Sequence, residues 1–290
     1  MSVEVTVIAP EQAKVGESPV WDERLGRLLW TDIPRGTIHE WDAASGARRQ
    51  WTFDASVGSF GLCESGRLVV ACKDRVLLFD RDTEASSELA RVTHAREGMQ
   101  FNDGKVGPDG AFWVGSTRAP GMEEALSALY RVSPDGAVRT VTEGLMTSNG
   151  LAWSGDGRTM IHTDSKGQWI DVLDFNPATG AATNRRRLRE MSEAEGRPDG
   201  GAFDIEGHYW SAGISAGRLN RISMAGEIVA SIELPLPHPT MPCFGGPDGL
   251  TLYVTSLSSD AERAQNALSG AVIALPAPLR GVPVTRFQDR

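Results

Sequence analysis

The chain of 290 residues carries a net charge of −9, and 40% of its residues are hydrophobic and 23% charged. This composition is typical of a soluble globular protein, and the acidic balance argues against nucleic acid or an anionic membrane as the main partner. No apolar stretch approaches the roughly 18 residues that span a bilayer, and the first residues lack the pattern of a secretory signal. We therefore expect a cytoplasmic protein with a small-molecule ligand, while the oligomeric state stays open.

The three cysteines, Cys63, Cys72 and Cys243, are an odd number and form no CxxC pair or cysteine–histidine cluster. Buried reduced thiols are therefore favoured over a redox or zinc role.

A short β-rich run over residues 3–8 comes before the first of six similar segments. Each segment has a small apolar run, a polar turn that ends in glycine, and a second run of alternating residues. The segments span residues 17–32, 58–72, 102–116, 149–164, 199–213 and 241–256. Their turn glycines are Gly26, Gly66, Gly110, Gly157, Gly207 and Gly249, with spacings of 40, 44, 47, 50 and 42 residues.

A second hairpin pattern lies between these segments, for example at residues 37–51 and 170–184. Each unit therefore holds four short strands and repeats about every 45 residues, which indicates an all-β, six-bladed β-propeller with four-stranded antiparallel blades around a central channel. We expect a single domain over residues 1–290, in which the strand at about 3–8 joins the last blade, about 241–288, and closes the ring. Helix-forming composition is confined to residues 121–128 and 189–195, which we interpret as loops or single turns.

The first strand of each blade lines the channel of a propeller, and the starts of these strands meet at one mouth. We therefore compared the residues eight positions before each turn glycine, or nine in the first unit, whose turn is longer. These residues are Glu17, Gly58, Asn102, Asn149, Asp199 and Met241. Four of them carry side-chain oxygens, the hard ligands that calcium, magnesium and manganese prefer, whereas zinc is less favoured. Because neighbouring buried carboxylates are costly without a cation, we predict a divalent metal site.

Each of these residues alone has a plainer interpretation. Asn149 and Asp199, each followed by glycine, could form turns, and Glu17 could belong to a surface loop. The tripeptide Pro-Asp-Gly occurs four times, but only the copy at 198–200 lies eight residues before the turn glycine of its own unit. We therefore predict that Asp199 begins a strand. The other three copies are expected to be turns at Asp109, Asp135 and Asp248.

The chain resembles the senescence marker protein/regucalcin/gluconolactonase family of six-bladed propeller lactonases. The matching stretches, in order along nearly the whole chain, are GESPVW (16–21), TDIPRGTIHEWD (31–42), FNDGKVGPDGAFWVGS (101–116), SNGLAWS (148–154), PDGGAFDIEGHYW (198–210) and CFGG (243–246). The resemblance implies one divalent cation held by Glu17, Asn149 and Asp199, with calcium, magnesium, manganese and zinc as candidates. It also implies substrate contacts from Asn102 and from the position of Gln100. The family has arginine at that position, so the neutral Gln100 is a departure.

The resemblance further implies hydrolysis of a sugar (aldono) lactone to the free acid, by metal polarisation of the carbonyl and attack of water, with Asp199 as the base. Asp103 is a further candidate on the substrate-binding side, where it would contact or support the substrate groups, or else it is the aspartate of an Asn-Asp-Gly turn. Arg96, Arg118 and His238 lie in loops that could reach the site. Two alternatives stay open: a propeller hydrolase of aryl esters or phosphotriesters, and a non-catalytic calcium-binding propeller.

Overall fold

Six four-stranded antiparallel sheets make up the fold in a computed structural model that describes residues 4–10 and 12–289. The predicted six-bladed propeller is confirmed. We number the sheets as blades 1 to 6 in chain order. In every blade the first strand pairs only with the second strand of the same blade, and the first strands of adjacent blades pack against each other around the ring. The channel therefore runs between the six first strands, and we call the end at which they begin the upper mouth.

The strands follow the repeat closely. β1 is Thr6–Ala9, and blade 1 comprises β2 (Gly16–Asp22), β3 (Arg27–Asp32), β4 (Thr37–Asp42) and β5 (Arg48–Thr52). Blade 2 comprises β6 (Val57–Leu62), β7 (Leu68–Cys72), β8 (Arg75–Phe79) and β9 (Ser86–Arg91). Blade 3 comprises β10 (Gln100–Val106), β11 (Phe112–Thr117), β12 (Ser127–Val132) and β13 (Val138–Leu145).

Blade 4 comprises β14 (Ser148–Trp153), β15 (Thr159–Asp164), β16 (Trp169–Asn176) and β17 (Ala181–Glu190). Blade 5 comprises β18 (Pro198–Phe203), β19 (Tyr209–Gly213), β20 (Arg218–Ile222) and β21 (Ile228–Glu233). Blade 6 comprises β22 (Pro239–Gly245), β23 (Thr251–Ser256) and β24 (Val272–Pro276), and its outer strand is β1.

The ring is closed by the pairing of β1 with β24, in which Thr6 lies opposite Ala274. The described strand begins at Thr6, and Val3, the first residue of the predicted strand, lies outside the described residues. This pairing covers the outer edge of β24, which would otherwise be free to bind another strand.

The six turn glycines all have positive φ, between 65° and 94°, in the turn between the first and second strands of a blade. This left-handed conformation is one that glycine adopts without steric cost, which explains the regular register of the repeat. The Pro-Asp-Gly copies at Asp109, Asp135 and Asp248 lie in turns, whereas Asp199 lies in β18. The prediction that Asp199 begins a strand is confirmed.

The hydrophobic core consists of clusters that each join two adjacent blades. Between blades 3 and 4, for example, the rings of Trp113, Trp153 and Phe175 pack edge to face with centroids 5.5–5.8 Å apart. Such packing fixes the position of each blade relative to the next, and therefore the position of residues at the upper mouth. The three cysteines are buried and free, as predicted.

Within residues 4–10 and 12–289, helical structure is limited to a 3₁₀ turn at Ile33–Arg35 and a four-residue helix, α1 (Asp260–Arg263). Residues 121–126 form a loop and residues 193–195 form a single turn, as expected, whereas residues 127–128 of the first predicted segment lie in β12 and residues 189–190 of the second lie in β17. In the described part of the chain, no helix has the length and apolar character needed to cross a bilayer.

Residues 280–289 cross the lower mouth of the channel, opposite the upper mouth. They begin beside blade 5, where the backbone N–H of Ile205 donates to Arg280. They end on blade 2, where the backbone N–H of Phe287 donates to the carbonyl of Leu62 at 2.8 Å. A cavity of about 270 Å³ lies between this segment and the channel walls.

Candidate metal centre and active site

Every first strand of the propeller is distorted near its start, where its pairing with the second strand shifts register. Such bulges bend a strand locally and redirect the side chains beside them. In blades 1 and 4 the residue after the predicted site position is left-handed, with φ of 49° at Ser18 and 66° at Gly150. Glu17 nevertheless lies within β2 and Asn149 within β14, so the loop and turn interpretations of these residues are wrong.

Four of the six predicted strand-start residues line one cleft at the upper mouth, with a volume of about 210 Å³. They are Glu17, Asn102, Asn149 and Asp199. Three of these side chains are almost fully buried, with exposures of 4% for Glu17, 3% for Asn149 and 6% for Asp199. The other two strand starts add no polar group, because Gly58 has no side chain and Met241 is apolar and buried.

A chain of hydrogen bonds links blades 3, 4 and 5 across this cleft. Nδ2 of Asn102 donates to Oδ1 of Asn149 at 3.0 Å. Nδ2 of Asn149 in turn donates to Oγ of Ser165 at 2.7 Å and to Oδ1 of Asp199. Oδ1 of Asp199 also accepts a hydrogen bond from Ser165 at 3.3 Å, whereas Oδ2 accepts none from the described residues. One oxygen of Asp199 is therefore held in place and the other is free.

The two carboxylates of the cleft are both difficult to ionise. Burial raises the pKa of Asp199 to about 7, and the nearby charge of Asp103 acts in the same direction, against Arg197. Burial also raises the pKa of Glu17 well above its usual range, as do the charges of Asp199 and Asp103, although a 2.6 Å hydrogen bond from the backbone of Ser18 opposes this. A nearby cation would remove this electrostatic cost, because it favours the ionised form of both groups.

The chemistry of the donor set fits a hard divalent cation. Two carboxylates balance its charge, and the Asn149 amide offers a further oxygen of the kind that calcium, magnesium and manganese prefer. Among the described residues, no group of three or more His, Cys, Asp and Glu side chains is arranged to hold a metal ion. A cation in this cleft would therefore depend on an asparagine as its third protein ligand, which suits zinc less well.

Asp103 lies within β10 and not in a turn, so its interpretation as a turn aspartate is wrong. The side chain is 1% exposed, and Oδ2 accepts the backbone N–H of Leu151 at 3.1 Å. Oδ1 is buried without a hydrogen-bond partner in the described chain. Burial raises the pKa of Asp103, and the buried ammonium of Lys105 opposes the increase. Asp103 thus adds negative charge near the cleft, and direct contact with a substrate stays a prediction.

Several residues considered for the substrate side lie outside the cleft lining. Oε1 of Gln100 accepts a hydrogen bond from Oγ of Ser56 in the preceding loop at 2.7 Å, so the amide is engaged with blade 2. A substrate contact from Gln100 stays a prediction. Three loop residues are likewise bound to neighbours: Arg96 to Glu124, Arg118 to Met122, and His238 to Ile214 and Glu262.

Two cationic residues that were not predicted line the cleft, Lys166 and Arg197. Lys166 follows β15, whose end reaches the same mouth as the start of β14, and Arg197 precedes Asp199 by two residues. The sequence contained a signal for the position of Lys166. Because neighbouring strands are antiparallel, the loop after the second strand of every blade must return to the upper mouth.

Comparison with known proteins agrees with this architecture. A profile described as the SMP-30/Gluconolactonase/LRE-like region matches residues 15–258. The chain is 33% identical over 295 residues to regucalcin of Xenopus laevis, with 99% of each chain covered. It is 36% identical over 278 residues to 6-deoxy-6-sulfogluconolactonase of Pseudomonas putida, with 94% of this chain and 95% of the relative covered.

A solved structure of a calcium-binding protein, regucalcin of Agrobacterium tumefaciens, superposes with a TM-score of 0.92 at 25% identity and covers 100% of this chain and 98% of its own. The match extends through all six blades, including the strand starts that form the cleft. By its sequence, its fold and the length of these matches, the chain belongs to the SMP-30/gluconolactonase/LRE-like family.

Proposed function

We propose that this protein is a lactonase that opens a sugar lactone to the free acid, using one divalent cation held by Glu17, Asn149 and Asp199. The observation that carries this proposal is the meeting of two nearly buried carboxylates and an amide, from three different blades, at an open cleft. The names of the relatives support it, since one is a 6-deoxy-6-sulfogluconolactonase and another a calcium-binding protein.

The chemistry divides between the cation and the side chains around it. When bound, the cation would polarise the lactone carbonyl and stabilise the negative charge that develops on its oxygen. Asp199 acts as the base that removes a proton from the attacking water. Its Oδ1 is held by Asn149 and Ser165, so its free Oδ2 is presented to the water in a fixed position.

Asn102 contacts the metal ligand Asn149 and also binds the substrate. Its Nδ2 donates to the backbone carbonyl of Ser148 and to Oδ1 of Asn149, both at 3.0 Å, which fixes the plane of the amide. Its Oδ1 accepts no hydrogen bond from the described residues and is available to a sugar hydroxyl. A positioned acceptor of this kind would orient the ring so that its carbonyl faces the cation.

The test uses protein stripped with a chelator and reloaded separately with calcium, magnesium, manganese or zinc. A panel of sugar lactones is followed by the pH change on acid release, beside aryl esters and phosphotriesters. Lactone turnover that disappears on stripping and returns with a cation is the expected result. Preference for esters or phosphotriesters would identify the alternative hydrolase, and cation binding without turnover of any substrate would identify a binding protein.

A further inference from the structure

We propose that the cleft selects a lactone that carries a second, anionic group, a carboxylate, sulfonate or phosphate, and that Lys166 and Arg197 bind this group. The inference rests on the lactonase function proposed above and narrows its substrate class. It starts from the two cations that line the cleft beside the carboxylates and that the metal chemistry does not use.

Lys166 is exposed in the cleft and its ammonium has no partner among the described residues. Its backbone is nevertheless rigidly placed, because buried Asp164 anchors the turn. Oδ1 of Asp164 accepts the backbone N–H groups of Thr147, Lys166 and Gly167 at 2.9–3.1 Å. The fold therefore fixes the backbone from which the Lys166 side chain extends, beside Ser165, which itself contacts the predicted metal ligands.

Arg197 is held in a similar way on blade 5. Its backbone N–H donates to Oγ of Ser215 at 2.8 Å. Its guanidinium makes one long ion pair of 3.4 Å, with Glu193, whose side chain is 56% exposed and also accepts from Gln168. Nε is buried and has no partner among the described residues, so it does not face a ligand. The pair with Glu193 is long and its carboxylate is exposed, so it contributes little, and the terminal nitrogens of Arg197, which lines the cleft, remain available to an anion.

The charges of the cleft point to the same class of substrate. A divalent cation balances Glu17 and Asp199, and the buried ammonium of Lys105 opposes the charge of Asp103. Lys166 and Arg197 then remain, with Glu193 at the rim. A neutral lactone offers these two groups only hydroxyl and ring oxygens, and it leaves both positive charges unbalanced. An anionic substituent would pair with both, since guanidinium and ammonium groups bind carboxylate, sulfonate and phosphate through charge-assisted hydrogen bonds.

The positions of Lys166 and Arg197 also predict how the substrate is oriented in the cleft. Lys166 and Arg197 belong to the loops of blades 4 and 5, whereas on blade 3 the neutral Gln100 is turned toward Ser56. The anionic group is therefore expected beside blades 4 and 5, with the lactone carbonyl toward the cation and the ring hydroxyls toward Asn102. One face of the ring is then presented to Asp199.

The experiment compares metal-loaded enzyme on lactones that share a ring and differ at one carbon. D-Glucono-1,5-lactone is the neutral member, and its partners carry a carboxylate (the 1,5-lactone of D-glucaric acid), a sulfonate or a phosphate at C6. We expect at least one anionic lactone to be preferred by about tenfold or more in kcat/KM, and added salt to reduce the preference. Comparison of the three anionic lactones shows whether the cleft prefers a carboxylate, a sulfonate or a phosphate.

Lys166→Gln and Arg197→Gln should each reduce this preference about tenfold, mainly through KM for the anionic lactone, while Lys166→Arg should largely keep it. Arg96→Gln is the matched control, because Arg96 pairs with Glu124 outside the cleft. A neutral lactone that is used as well as every anionic one would overturn the inference, as would an unchanged preference in both glutamine variants.

Calorimetric titration of the ring-opened acids separates this inference from the lactonase proposal. If no lactone of any charge is hydrolysed, the proposed function fails. D-Glucarate that binds more tightly than D-gluconate, with the difference lost in Lys166→Gln, would still support the anion site. Equal binding of the two acids would reject the anion site even if the neutral lactone is hydrolysed.

Discussion

Nδ2 of Asn102 in blade 3 donates a hydrogen bond of 3.0 Å to Oδ1 of Asn149 in blade 4. Because Asn149 is the one amide among the three proposed metal ligands, this bond couples the substrate side of the cleft to the metal side. Replacing a group that orients a metal ligand through a hydrogen bond typically lowers metal affinity by a factor of about 10 to 100.

Asn102→Ala should therefore weaken cation binding about tenfold as well as raise KM for the lactone. Calorimetric titration of the stripped protein with calcium measures the first effect, and steady-state kinetics at saturating cation measures the second. Unchanged cation affinity with a higher KM would leave Asn102 as a substrate contact alone.

The four Pro-Asp-Gly copies provide a matched pair of variants for the proposed base. Asp199→Asn should reduce kcat by a factor of about 10² to 10⁴, because removal of a general base costs a factor in this range. Asp135→Asn makes the same change in the same tripeptide at an exposed turn, where the aspartate accepts local hydrogen bonds from the Ser133 side chain and, at 3.2 Å, from the backbone N–H of Ala137. Its activity should equal that of the wild type, and a similar loss in both variants would count against Asp199 as the base.

Metal-free protein should lose part of its stability as pH rises. Burial raises the pKa of Asp199 from 3.8 to about 7, so between these values the folded state keeps a proton that the unfolded state has released. This contribution, on the order of a few kcal/mol, is complete below the unfolded pKa and is lost as pH rises through the folded one. Asp199→Asn removes it.

Urea unfolding of stripped wild type and Asp199→Asn, at about pH 5 and about pH 8, measures the difference. We expect the variant to gain stability relative to wild type at the higher pH, and calcium to restore the wild type there. An unchanged difference between the two proteins across this range would show that the carboxylates do not carry the electrostatic cost inferred from their burial.

His162 should make stability depend on pH in the opposite direction, so that the protein loses stability as the pH falls. It is 1% exposed, its Nε2 lies 2.8 Å from Oγ of Ser148, and burial lowers its pKa from 6.5 to about 3. The folded state therefore holds it neutral, and this contribution is present above pH 6.5 and lost as pH falls toward 3. His162→Gln should flatten the acid side of the stability profile in urea unfolding, and a profile as steep as that of wild type would place the acid sensitivity elsewhere.

The ion pair between Arg286 and Asp22 should stabilise the segment that crosses the lower mouth. Nη2 of Arg286 lies 2.6 Å from Oδ1 of Asp22, and the two side chains are only 6% and 1% exposed. Arg286→Met should cost about 3 kcal/mol of unfolding free energy, because it leaves a buried carboxylate with less compensation. Arg24→Met is the control, since Arg24 pairs with Glu64 at the surface and should change stability little. Equal effects of the two substitutions in urea unfolding would contradict the expectation.

The repeat register predicted much of the site because a propeller places equivalent residues at one mouth. Counting back from six turn glycines found all four polar strand starts of the cleft. Asp103 shows where local patterns mislead: Asn-Asp-Gly is typical of a turn, but here it lies within β10, at the bulge where the pairing with β11 shifts register. The bulges and the left-handed Ser18 depend on hydrogen bonds between strands, which the composition of one strand does not contain.

The features of the site that the sequence did not predict belong to loops or to contacts between blades. Lys166 and Arg197 lie in connections whose lengths differ from blade to blade, so no register predicts their direction. Gln100 was expected to face the substrate, yet its amide accepts from Ser56 of the neighbouring blade. Such a contact follows from how blade 2 packs on blade 3, a relationship between segments more than forty residues apart.

Thr6 pairs with Ala274, and the two are 268 positions apart (274 − 6). Blades 1 to 5 are each built from one continuous piece of chain, whereas blade 6 is complete only when both ends have been synthesised. Contacts of such long separation carry the largest entropic cost and are expected to form late in folding. Blade 6 lies between blade 5, which carries Asp199, and blade 1, which carries Glu17, so the two carboxylates take their final separation only when the ring closes. Affinity for a cation would then arise in the last step of folding, and calcium binding in a refolding experiment would time that step.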